Sequence, residues 1–143
     1  MGDLAIVSPA PLHQVTRLAF PSGRAPARHL QIMLLQVARS DSMAFVDHAG
    51  DAVMVVGLWQ LEALQDGERF FELWLQIDRL ALPYLPSLRR LARLMLARVA
   101  ESGPVRIRAL VREGHRPGGR MCLLLGMAFV GVFDGFEAWE WSA

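Results

Sequence analysis

The chain has 143 residues, 53% of them hydrophobic and 20% charged, which is enough apolar material for a packed core and excludes a disordered chain. Its formal net charge is +1, so no global attraction draws it to nucleic acid or to an anionic membrane. All 15 basic residues are arginines, which excludes a lysine nucleophile or Schiff base, and the single Cys122 excludes an intrachain disulfide or a multi-cysteine metal site. The longest apolar run, Ala52 to Trp59, is too short to span a bilayer. Met1-Gly2-Asp3-Leu4 has no basic region ahead of an apolar stretch, so no signal peptide is expected and the expected location is the cytoplasm. Length and the lack of a dividing linker predict a single domain, 1–143.

Leu4-Ala5-Ile6-Val7 is a short strand candidate, and Ser8-Pro9 is read as capping and opening a helix that runs to about Ala19. Pro21-Ser22-Gly23 breaks it, and a second helix is predicted from Pro26 to Val37 with Leu30, Met33, Leu34 and Val37 on its inner side. His13 and His29 on these helices read as surface or cap residues, and the four histidines show no metal-ligand spacing. Met43 to Val46 and Ala52 to Leu61 are strands around the turn Asp47-His48-Ala49-Gly50-Asp51. Gln65-Asp66-Gly67-Glu68 is a further turn, leading into the strand Phe70 to Ile77.

A long helix comes next. At about 100° per residue, Leu85, Leu88, Leu91, Ala92, Met95, Leu96 and Val99 share an arc roughly 140° wide, while Arg89, Arg90 and Arg93 fall outside it. Pro83 and Pro86 belong to its approach and first turn, and Ser102-Gly103-Pro104 ends it. Val105 to Leu110 alternates as a strand, and Arg116 to Leu125 forms a helix stopped by Gly126. Phe129 to Phe133 and Phe136 to Trp141 form a hairpin around Asp134-Gly135. Cys122, within Arg120-Met121-Cys122-Leu123-Leu124, reads as a buried inert thiol. A strand-helix-strand crossover places the Phe70 and Val105 strands parallel, and the hairpins make the other pairs antiparallel. The expected fold class is α/β (α+β): a mixed, twisted sheet of about seven strands with helices on both faces.

The order β-α-α-β-β-β-α-β-α-β-β resembles the GNAT superfamily of CoA-dependent N-acyltransferases over essentially the whole chain. In that family the strand corresponding to Phe70–Ile77 leads into a pattern Arg/Gln-x-x-Gly-x-Gly/Ala at a helix N-terminus, whose amides hold the CoA pyrophosphate. The matching segment is Ser87-Leu88-Arg89-Arg90-Leu91-Ala92. Ala92 fits the last position, Ser87 stands for Arg/Gln, and Arg90 replaces the first glycine. The resemblance therefore implies a cofactor site built from Leu80, Ala81, Leu82, Ser87, Leu88, Arg89, Arg90, Leu91 and Ala92, in a notch between the Phe70 and Val105 strands. Arg90 either blocks the approach of the phosphates or substitutes a guanidinium contact; alternatively Arg89, Arg90 and Arg93 are a solvated helix face. His115 to Met127 matches the family pattern Asn-x-x-Ala-x-x-Leu-Tyr-x-x-x-Gly-Phe, with His115 for Asn, Gly118 for Ala and Cys122 where a tyrosine often acts as general acid.

Glu72 is the first candidate for a general base, Asp78 the second, and His115 a proton relay. Glu72 alternatively points outward or pairs with an arginine. Two readings follow. One is an acyltransferase using acetyl-CoA, or another acyl-CoA, and an amine acceptor. The other is a GNAT-fold interaction protein without the chemistry, such as a component of a phage virion, since the chain also looks like a divergent phage-encoded branch of the group. In that reading Trp139 and Trp141 form a homo-oligomer or particle contact; otherwise they pack within one subunit.

Overall fold

A computed structural model describes residues 4–20, 22–24, 26–61 and 67–142. The elements are β1 (Ala5–Val7), α1 (Leu12–Ala19), α2 (Ala27–Arg39), β2 (Ser40–Val46), β3 (Ala52–Gln60) and β4 (Arg69–Ile77), then a 3-10 helix (Arg79–Tyr84), α3 (Leu85–Ala100), β5 (Val105–Arg112), α4 (Arg116–Leu124), β6 (Ala128–Phe133) and β7 (Phe136–Ser142). The strands form a seven-stranded sheet in the order β1-β2-β3-β4-β5-β7-β6. β4 and β5 are parallel, paired from Arg69↔Val105 to Leu73↔Ala109, as the α3 crossover requires. The β1–β2, β2–β3, β5–β7 and β6–β7 pairs are antiparallel. Gln65 and Asp66 of the expected turn, Pro21 of the expected break and Met1 to Asp3 lie outside the described residues.

The chain forms two compact units, Met1–Trp59 with Trp74–Pro83, and Gln60–Leu73 with Tyr84–Ala143. β4 thus changes unit between Leu73 and Trp74.

In the first unit, Val15 and Leu18 of α1 and Met33 of α2 are buried with Ala44 and Val46 of β2, Val55 of β3 and Trp74. Leu30 and Val37 pack partly against this core, whereas Leu34, expected inside, is exposed. Val53-Met54-Val55-Val56 is buried throughout, as expected of a strand covered on both faces. Ser8 does not cap a helix. Its hydroxyl donates to the Ser42 carbonyl at 2.9 Å, the Ala10 N–H donates to Ser42 Oγ at 3.0 Å, and α1 begins only at Leu12. β2 starts three residues before the expected Met43 because Ser40 and Ser42 are held by bonds of their own: Trp74 Nε1 donates to Ser40 Oγ at 2.8 Å, and Ser40 Oγ donates to the Gln36 carbonyl. Gly57 makes room for the same indole, since a Cβ there would fall on the Trp74 ring.

In the second unit, α3 buries Leu88, Ala92 and Leu96, spaced four residues apart, and β5 buries Val105, Ile107, Ala109 and Val111 in alternation. The β6–β7 turn has Asp134 at φ 51° and Gly135 at φ 79°, the two left-handed residues that a tight two-residue hairpin demands.

Candidate functional site

The amide donors expected at Ser87–Ala92 are settled by where the helix begins. α3 starts at Leu85 with Pro86 in its first turn and no side-chain cap at Tyr84. In a helix starting there, the first i→i−4 donor is Leu88, so the N–H groups of Arg89, Arg90, Leu91 and Ala92 are used inside the helix. Within that segment Ser87 precedes the first such donor, and the 3-10 helix Arg79–Tyr84 runs directly into Leu85, so the start of α3 is not an open helix end. Leu88 and Ala92 are buried. Arg89, Arg90 and Arg93 point outward and, with Pro86 and Leu94, line a shallow depression of about 430 Å³. Arg93 Nε donates to the Leu124 carbonyl at 3.1 Å, at the C-terminal end of α4, where a cation also complements the helix dipole. Among the described residues no carboxylate pairs with Arg89 or Arg90.

The other expected cofactor residues belong to the first unit, in the 3-10 helix. Leu80 lies within it, Ala81 is fully buried with its N–H donating to the Asp78 carbonyl at 3.0 Å, and Leu82 is 67% exposed.

Glu72 stands opposite Arg108 in the parallel ladder, and its Oε2 lies 3.5 Å from Arg108 Nη2. This is the paired state that the sequence left open as an alternative. The Arg108 guanidinium also sits 5.3 Å from the centroid of the Phe70 ring. Two residues back along β5, Arg106 Nε lies 3.0 Å from Oε1 of Glu68, just ahead of β4, so two arginines of β5 each meet a carboxylate from the neighbouring segment. Asp78 is engaged elsewhere: its carboxylate meets Arg17 Nη1 at 3.4 Å and its N–H donates to the Val53 carbonyl at 2.9 Å. Arg17 in turn donates to the Ala52 carbonyl, so Asp78 helps to hold α1 against β3. His115 is exposed at the N-terminus of α4, its N–H donating to the Arg112 carbonyl at 2.9 Å. Among the described residues no hydrogen bond or ion pair joins Glu72 to His115.

Cys122 is buried on the inner side of α4, and burial, with a smaller contribution from the Glu137 charge, pushes its thiol up to about 11. A thiol so placed stays protonated at neutral pH and is a poor replacement for a phenol. Glu137 and Trp139 were not singled out as partners of α4 by sequence, although their i, i+2 spacing on a strand places them on one face. Glu137 Oε2 accepts the Gly114 N–H at 3.4 Å. Trp139 is buried and meets Phe129 edge to face at 5.5 Å, and its Nε1 has no hydrogen-bond partner among the described residues. Trp139 thus packs within the unit.

Among the described residues no group of side chains could hold a metal ion, and no helix is long and apolar enough to cross a membrane. No protein-family model and no curated sequence matches the chain. Solved structures do. A phosphinothricin acetyltransferase of the GNAT superfamily from Sinorhizobium meliloti, in complex with AcCoA, superposes with TM-score 0.65 at 9% identity, covering 97% of this chain and 88% of that one. A spermidine N-acetyltransferase chimera from Vibrio cholerae gives TM-score 0.62 at 12% identity, covering 96% and 94%. A GNAT-family acetyltransferase from Listeria monocytogenes gives 0.59 at 14% identity, covering 98% and 95%. At such identities the likeness is one of backbone architecture, and it extends over nearly the whole length of both partners. The chain has the GNAT fold.

Proposed function

We propose that the chain is an acyl-CoA-dependent N-acyltransferase that moves an acyl group, acetyl in the first instance, to an amine. The observation that carries this reading is the fold, whose solved examples include an acetyltransferase in complex with AcCoA and a spermidine N-acetyltransferase. The residues at the start of α3 fit a polyphosphate. Ser87 lies in the first turn of the helix, and Arg89 and Arg90 offer guanidinium groups with no carboxylate against them among the described residues. Acyl-CoA, when bound, would supply the thioester, with CoA thiol as the leaving group. Glu72 uses Oε2 against Arg108, and its other oxygen takes the amine proton; His115 is the second candidate for that proton. Asp78, tied to Arg17, serves the fold.

Acetyl-CoA at a concentration about 100-fold above its Kd should stabilise the protein by about 2.7 kcal/mol, read as a rise in melting temperature. Arg89→Ala/Arg90→Ala should abolish the rise. Glu72→Gln should keep it but slow CoA release in the presence of polyamines or peptide amines about 100-fold or more. No rise with acetyl-CoA at millimolar concentration overturns the proposal.

One set of observations favours the second reading, a GNAT-fold interaction protein without catalysis. Glu72 is ion-paired, a buried thiol stands where the family often has tyrosine, and the amides of Arg89–Ala92 are spent inside the helix. No thermal shift with acetyl-CoA and no thiol release with any amine would be its signature.

A further inference from the structure

We propose that the outer surface of α3, with the adjoining α4, docks an acidic acyl-carrier protein that presents a thioester on its own phosphopantetheine arm. The donor role rests on the acyltransferase reading; the docking does not. On α3, Arg89 and Arg93 form one i, i+4 row, and Arg90, Leu94 and Arg98 form the row beside it, all of them exposed. No acidic residue occurs anywhere from Arg79 to Ala100. α4 adds Arg116 and Arg120, both exposed, and it too has no acidic residue. Arg93 Nε reaches the Leu124 carbonyl at 3.1 Å, so the two helices adjoin. Glu101 and Glu113 lie outside both helices, and among the described residues no ion pair engages any of the six guanidinium groups. A chain with a net charge of only +1 thus gathers unpaired cations on one helical layer.

Three features select the partner. The cationic rows outrun a diphosphate: Arg89 to Arg98 is about 13 Å along the helix axis. The backbone that would cradle a diphosphate is committed, since the amides of Arg89–Ala92 are used inside α3 and the 3-10 helix runs into Leu85. Finally, Leu94 stands 57% exposed among arginines at the shallow depression, and an apolar contact ringed by cations suits a protein surface. A nucleic-acid backbone offers a leucine nothing, and neither helix has an aromatic residue on which a base could stack. A phosphopantetheine thioester comes either on CoA or on an acidic carrier, and the carrier brings its own negative surface to the arginines. The chemistry is the same from both. The amine nitrogen bonds to the thioester carbonyl carbon, the C–S bond breaks, the amine proton passes to Glu72, and the arm leaves as a thiolate that takes a proton from water.

The test separates docking from chemistry. Calorimetric titration of the full chain with a bacterial fatty-acid acyl-carrier protein lacking its arm should show binding below about 100 µM, weakened at least about 10-fold by Arg98→Glu/Arg120→Glu and by a rise from about 50 to 500 mM salt. Both side chains are exposed, so the variant should keep the wild-type circular dichroism spectrum. With an amine acceptor, the acetylated carrier should give a kcat/KM at least about 10-fold above that of acetyl-CoA, and the variant should lose that advantage while its rate with acetyl-CoA stays within about twofold of wild type. No binding of the armless carrier, binding indifferent to the two glutamates, or capture of duplex RNA or phosphatidylglycerol vesicles in its place would each overturn the proposal. Turnover of acetyl-CoA with none of the acetylated carrier overturns it and leaves the acyltransferase reading intact. Docking without turnover of either thioester overturns the donor role together with that reading.

Discussion

A methyl group at position 57 would occupy the space taken by the Trp74 indole, whose Nε1 is already committed to Ser40 Oγ at 2.8 Å. The ring therefore has little freedom to step aside, and Gly57→Ala should cost about 1–3 kcal/mol in urea denaturation. Gly119 provides the contrast. A Cβ there would meet Trp139 Cζ2 at 3.4 Å, an ordinary contact. Gly119→Ala should be neutral or should stabilise by up to about 1 kcal/mol, because alanine also favours the helix. Cys122 has a pH signature. Its thiol is raised from 9.0 to about 11, so the folded state holds that proton more tightly than the unfolded chain does. The associated stability is complete below about pH 9 and is lost as pH rises through about 11, a fall of up to about 3 kcal/mol. Denaturation midpoints followed from pH 8 to 11 should show this fall in wild type, and Cys122→Ala should flatten it.

Element by element, side chains reaching across the first unit fix what local propensity leaves open. Gln14 on α1 is buried, and its amide donates to the Gly50 carbonyl at 3.1 Å while its oxygen accepts from the Ala52 N–H at 3.1 Å and from Arg17 Nε at 3.2 Å. One side chain thus clamps α1 to the end of the β2–β3 turn that leads into β3. Gln14→Leu keeps the volume but strands a buried backbone donor, and should cost about 1–3 kcal/mol in the same urea assay. These clamps explain what the sequence concealed. The alternation of Val105–Leu110, the Asp134-Gly135 turn and the apolar arc of α3 are local patterns, and each was readable. Ser8 looks like a cap and Ser40-Asp41-Ser42 looks like a loop until the partners arrive from 34 residues away in the chain. Spacing cannot reveal a partner so distant.

At the scale of the whole molecule, the order of elements was legible because each crossover and hairpin constrains the next, and seven strands with β4 and β5 parallel follow. The candidate site was less so. The Glu72–Arg108 pair depends on the parallel register, and the loss of donors at Arg89–Ala92 depends on which residue opens α3. Both are questions of one or two residues, finer than a periodicity can resolve. The division of β4 has a consequence for synthesis. The first unit runs to Trp59 and resumes at Trp74, so a nascent chain halted at Trp59 holds Gly57 and Ser40 without the indole that lies against them. Vectorial translation cannot complete this unit until Pro83 has emerged, by which time the opening strand of the other unit has already been made.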